Sequence, residues 1–324
     1  MNGVGFPRWA CLIAILGCSA LQPSSLGRER SDAVWREFRS EHFVVCTDAD
    51  GTEVRESMAY FETTYRALMA ILFREEGNGP EPIHVVLFAH SADLHRFIPA
   101  GAGAAFSSTQ TGDPESKPIM LVETSLTDEA RRLFVHEMTH AFVERWFGRV
   151  PIWLHEGLAQ YFESMRIERG RIVLGEPASS YGLASNQMPS LTALITADQR
   201  IFYAGRDTHS VDGLYQQGSF YAAAWHLVRL FMQDTGDYHR RFYQFLGALT
   251  QGAPPQAAWA RSFDGATYRR LARDYLEYLR SETFDTGFVA VDVRPSTDVV
   301  RQERTMPAEE TRLLWIRLGR VANR

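Results

Sequence analysis

VHEMTHAFVERWFGRVPIWLHEGLAQYFE (residues 135–163) carries two histidines four residues apart and, sixteen residues after the second, a glutamate inside WLHEG. How this stretch folds decides how the rest of the chain is read. Ser125 and Thr127 offer N-caps upstream, with Asp128 and Glu129 in the first turn, where carboxylates favour a helix N-terminus. The helix they start runs to Gly148. Pro151 suits the first turn of a second helix reaching about Met165. A helical hairpin results, and its polar residues must either face solvent or face one another.

The spacing favours the second arrangement. His136-Glu137-Met138-Thr139-His140 is an HExxH pattern, and on a helix residues i and i+4 lie one above the other. Both imidazoles can therefore meet one tetrahedral metal ion. Glu137 lies about 100° round the helix and can reach a metal-bound water from the side. With 10 histidines in 324 residues, chance supplies such a pattern on the order of 0.02 times per chain, so the match is informative. Two histidines hydrogen-bonded on one helix face are the plain alternative.

A catalytic site needs a third ligand and an open fourth position. A third histidine in the same helix would follow a glycine three residues after His140, but Val143 and Trp146 occupy the two positions required. Glu156 supplies the ligand instead, lying among Trp153, Leu154, Leu158 and Ala159 on the returning helix. Glu163 shares its face at i+7, where it can orient a ligand histidine or stand at the surface. His155 points about 100° away from Glu156 and is expected to be structural or exposed.

The stretch resembles the gluzincin metallopeptidases, and WLHEGLA is similar to the Trp-Leu-x-Glu-Gly-Phe-Ala element of their aminopeptidase branch and of peptidase-MA-like secreted peptidases. The resemblance implies Zn²⁺ held by His136, His140 and Glu156, with Glu137 as general base. Tyr215-x-x-Gly218 is similar to the element whose tyrosine stabilises the oxyanion in that branch. It implies a catalytic role for Tyr215, ahead of Tyr221 and His226. No Gly-x-Met-Glu-Asn segment precedes the zinc motif, and GAGAAFSS stands roughly where it would fall. Without that anchor for a free amino terminus, the expectation is an endopeptidase that hydrolyses peptide bonds by a metal-activated water. The rival reading is a lipoprotein that binds or scaffolds while retaining a metallopeptidase fold.

Outward from the hairpin, SEHFVVCTDAD (40–50) alternates as a strand does, and IHVVLFA (83–89) is a continuous apolar strand. Between them Met58, Phe61, Tyr65, Leu68, Met69 and Leu72 recur at helical spacing. IMLV (119–122) reads as a short strand and a candidate sheet edge for aligning an extended substrate. The Gly/Ser/Pro-rich run from Pro99 to Pro118 reads as a flexible lid. RIVL suits a hairpin strand, and four amphipathic helices follow, with turns at Gly236, Gly252 and Gly265. The fold class expected is α+β: a small N-terminal mixed sheet with one helix, then a mainly α-helical zincin-like catalytic core. It would span residues 35–280, leaving 281–324 as a peripheral C-terminal tail.

The N-terminus reads as a targeting segment. One arginine, Arg8, precedes an apolar run from Trp9 to Gly17 that is too short to span a bilayer, so residues 1–17 are expected to be a signal peptide. ILGC, ending at Cys18, resembles a bacterial lipoprotein processing box, although Ile15 and Leu16 replace the preferred leucine and small residue. Cleavage after Ala20 fits the small-residue rule as well. Residues 18–34 form a linker, and an acylated Cys18 would tether the protein to the membrane outside the cytoplasm. Otherwise it would be secreted or periplasmic. Cys46 is then the one cysteine within the domain, so the core has no internal disulfide. The net charge is −5 with no basic block. That argues against nucleic acid as a partner and leaves a peptide or protein substrate.

Overall fold

The computed structural model describes residues 33–73, 81–98, 104–107, 118–124, 127–168, 171–175, 188–204, 211–233, 236–280, 287–289 and 297–322. The signal segment, Cys18 and nearly all of the linker lie outside these residues. No helix among those described is long and apolar enough to cross a membrane.

The fold is mixed α+β. Strands β1 (Arg36–Arg39), β2 (Phe43–Thr47), β3 (Ile83–Phe88), β4 (Ala104–Ser107), β5 (Ile119–Glu123) and β9 (Gln302–Thr305) form one sheet in the order β4-β5-β3-β2-β1-β9. β2, β3 and β5 are parallel to one another, while β4 pairs antiparallel with β5, β1 with β2 and β9 with β1. The parallel centre follows from sequence. β3 is apolar at almost every position, as a strand covered on both faces must be, and helix α1 (Gly51–Leu72) makes the β2-to-β3 crossover. Asp50 caps α1 by accepting from the Thr52 N–H at 2.9 Å. The predicted apolar stripe, Met58 to Leu72, is buried.

Successive residues of β3 feed two cores. Val85 and Leu87 point to the side covered by α1 and by helix α3 (Asp128–Phe147), joining Phe61, Phe134 and Met138. Val86 and Phe88 point to the other side, into a smaller cluster with Trp35, Leu94, Phe97 and, from helix α11 (Ala308–Ala322), Leu314 and Leu318. Leu94 belongs to the short helix α2 (Ser91–Leu94).

Three expectations are corrected here. The described residues beyond 280, 287–289 and 297–322, are not peripheral. β9 pairs with β1, α11 covers the second sheet face, and Arg304 holds the Glu37 carboxylate with nitrogens at 3.0 and 3.1 Å. IMLV is not the edge, because β4 pairs outside it. β4 itself comes from the middle of the glycine-rich run expected to be a lid, and Ala104, buried on the α3 side of the sheet, lacks the bulk that would keep the strand from packing against that helix. Residues 99–103 and 108–117 of that run lie outside the described residues.

The helical part begins with α3 and α4 (Ile152–Glu163), followed by the short helices α5 (Leu191–Thr196) and α6 (Gln199–Phe202). The long helix α7 (Val211–Gln233) comes next, then α8 (Asp237–Thr250), α9 (Pro255–Ser262) and α10 (Gly265–Arg280). A second small sheet joins β6 (Arg166–Glu168), β7 (Arg171–Leu174) and β8 (Gly287–Val289), with RIVL as its central strand. α7 crosses α4 closely at Gly157. A Cβ there would lie 2.7 Å from the Ala224 carbonyl oxygen, so only glycine permits this approach. Trp153, on the same helix, packs its ring against Phe231, Phe245 and Trp259 and locks α4 to α7, α8 and α9.

Candidate metal centre

α3 starts as its sequence dictates. Thr127 accepts from the Ala130 N–H at 3.2 Å, and Asp128 and Glu129 occupy the first turn. The helix stops at Gly148, whose φ of 64° is a left-handed value that glycine adopts without strain. After Pro151 the chain returns as α4. Contacts 136 to 163 and 140 to 156 pair rising with falling numbers, so the two helices are antiparallel.

This hairpin brings His136, His140 and Glu156 together. The two Nε2 atoms are 3.2 Å apart, and Glu156 Oε2 lies 3.6 Å from Nε2 of His140 and 3.8 Å from that of His136. Bonds of 2.0–2.1 Å in a tetrahedral site would hold such atoms about 3.3 Å apart. The observed triangle therefore needs only a few tenths of an ångström of contraction to fit a metal ion. Two imidazoles and one carboxylate make a nitrogen–oxygen set of the kind transition metals take, and three protein ligands leave a fourth position open.

The surroundings orient the ligands. Glu163 Oε2 is 3.1 Å from His136 Nδ1, so the carboxylate on Glu156's face takes the orienting role rather than the surface one. Arg132 stands 3.6 Å from the other oxygen of Glu163. His155 is half-buried and stacks its ring on that of His140, with centroids 4.2 Å apart and planes 15° from parallel. The phenol of Tyr203, the residue ending α6, donates to Glu156 Oε1, so the two carboxylate oxygens have different tasks. Glu137 is buried beside His136.

These contacts set the charges. Burial works against a charged His136, but the hydrogen bond to Glu163 and the negative charges of Glu137, Glu163 and Glu156 prevail and raise its pKa to about 9. His140 is held well below the usual histidine range, by burial first and then by the neighbouring imidazoles of His155 and His136. His155 falls to about 4 for the same kind of reason, burial and then His136. The two imidazoles are thus pushed in opposite directions, His136 toward its charged form and His140 toward its neutral one.

The tyrosine expectation fares differently. Tyr215 is exposed on α7. It precedes Ala224, which faces α4, by nine residues. At 100° per residue that is about half a turn, so Tyr215 lies on the far side of α7 from the ligands. Tyr221 is half-buried on the near side, its ring 5.2 Å from Phe202 and 6.2 Å from Tyr203. His226 is a core residue packed on Trp225 and Tyr278, and burial followed by the charge of Arg229 lowers it to about 3. Sequence reasoning missed Tyr203, which has no motif around it and lies 47 residues from Glu156.

No protein-family model matches this chain, and no curated protein matches it in sequence.

Proposed function

We propose that the protein is a zinc-dependent endopeptidase acting on extracytoplasmic proteins or peptides, tethered to the membrane if Cys18 is acylated. The observation that carries this reading is the convergence of the His136, His140 and Glu156 ligand atoms within 3.8 Å of one another, with buried Glu137 in the same helical turn. Zinc held there would polarise a carbonyl oxygen and bring the pKa of a water at the open position to about 7.

The chain's own groups do the rest. Glu137 would take the proton from the attacking water as the carbon–oxygen bond forms. It would then deliver that proton to the amine nitrogen as the carbon–nitrogen bond breaks. Glu163 keeps the His136 ring turned so that Nε2, not Nδ1, faces the site. β4, the outermost strand at its end of the sheet among the described residues, packs against α3 and could pair with an extended peptide. An edge of this kind reads backbone along its length and does not require a chain terminus, which suits internal cleavage. The oxyanion role implied for Tyr215 gains no support from its place on the far side of α7.

The test is cleavage of casein and a peptide library by the mature, zinc-loaded protein. Replacing Glu137 with Gln should leave zinc bound and lower the rate by about 10²–10⁴. Bound zinc with no cleavage of any substrate would instead favour the binding or scaffolding lipoprotein.

A further inference from the structure

The carboxylate of Glu156 is divided between two neighbours. Oε2 faces the two imidazole nitrogens, at 3.6 and 3.8 Å, while Oε1 accepts the O–H of Tyr203. We propose that Tyr203 is a positioning residue that keeps Glu156 a one-oxygen ligand and thereby keeps the fourth position of the metal open. The inference rests on reading His136, His140 and Glu156 as the metal site.

The argument begins with what a carboxylate does unaided. Both of its oxygens bind metals, and a free carboxylate can swing to offer both at once. Two imidazoles with a two-oxygen glutamate would fill four positions, so a bound water would be crowded into a fifth place where a one-oxygen glutamate leaves it the fourth. A phenol donating to Oε1 engages that oxygen's electron density and fixes the side-chain torsion, so that Oε2 alone is presented.

The donor is itself held firmly. Asp198 caps α6 by accepting from the Ile201 N–H at 2.8 Å, and the Tyr203 N–H donates to the Gln199 carbonyl at 2.9 Å. Phe202, fully buried, packs on Phe220 and Tyr221 of α7. The same helix receives α4 at Gly157, next to the ligand. Donor and acceptor are thus referenced to one rigid element, α7, and their hydrogen bond needs no long-range adjustment to form.

Tyr203→Phe removes the hydroxyl and keeps the ring, so the packing on Phe202 and Tyr221 survives. The experiment titrates Co²⁺ into the metal-free full-length chain and into this variant, reading affinity and the visible ligand-field spectrum. The wild type should give the intense bands of a four-coordinate ion. The variant should bind about 10–100-fold more weakly, as expected when a partner of a ligand is lost, and its bands should weaken toward the five-coordinate pattern. Equal affinity with an unchanged spectrum would overturn the role of Tyr203 while leaving the metal site intact. Failure of the wild type to bind cobalt at all would overturn the metal site itself.

Discussion

Gly157→Ala tests how the fold aims its third ligand. The added Cβ would stand 2.7 Å from the Ala224 carbonyl oxygen and 2.8 Å from Val228 Cγ2, where ordinary contact begins at 3.4 Å. α4 and α7 would have to part by roughly 0.7 Å, the difference between 3.4 and 2.7. The nearest atom is backbone, and it cannot rotate aside. Overpacking of this kind costs about 1–3 kcal/mol. The usual gain from replacing glycine by alanine in a helix, about 0.5–1 kcal/mol, offsets part of it. A net loss of roughly 1–2 kcal/mol follows. Glu156 is the preceding residue and moves with the backbone, and 0.7 Å is about a third of a metal–oxygen bond of 2.0–2.2 Å. Affinity should therefore fall along with stability. Urea denaturation of the metal-free protein and zinc titration against a competing chelator measure the two. Gly247→Ala is the control. It lies within α8, a Cβ there would meet nothing within 4 Å, and it should stabilise by about 0.5–1 kcal/mol without changing metal binding. A Gly157→Ala protein as stable and as tight-binding as wild type would refute the reasoning.

The raised pKa of His136, about 9, means that metal binding at pH 7 must expel a proton. Affinity should rise about tenfold per pH unit between pH 7 and 9, and calorimetry in buffers of different ionisation enthalpy should register one proton released per ion. In the metal-free protein the same shift has the opposite sign for stability. Its contribution is complete below the unfolded histidine value of about 6.5 and is lost as pH climbs toward 9. Leu318 is fully buried against the second face of the sheet. Leu318→Ala should therefore cost about 2–5 kcal/mol in urea denaturation, whereas a truly peripheral tail would show almost no change.

Much of the site was legible because it is local. The i, i+4 geometry of His136 and His140, the Thr127 cap and the Gly148–Pro151 turn are properties of one hairpin. Antiparallel return alone brings Glu156 and Glu163 opposite the histidines. His155 is structural, one of the two roles expected of it: its angle from Glu156 keeps it out of the ligand set, and the helices lie close enough for its ring to cover His140. Tyr203 was hidden because its partner is brought to it by the packing of α6 and α4 on α7, which no short-range pattern encodes.

The same holds for the edge and the tail. β4 looks like loop because alanine, phenylalanine and serine between glycines carry no alternation, and its pairing with β5 supplies the order. β9 is charged and exposed along its length, so its place depends on backbone pairing and on ion pairs such as Arg304 with Glu37, not on an apolar period.

Metal stoichiometry of the purified full-length chain, set beside that of Glu156→Ala, bears most directly on all of this. The expected result is one tightly held transition-metal ion per wild-type chain, and a large loss of affinity in the variant with its helical content unchanged. A wild-type protein that takes up no metal, or a Glu156→Ala protein that binds as tightly as wild type, would show that the hairpin does not assemble the site described.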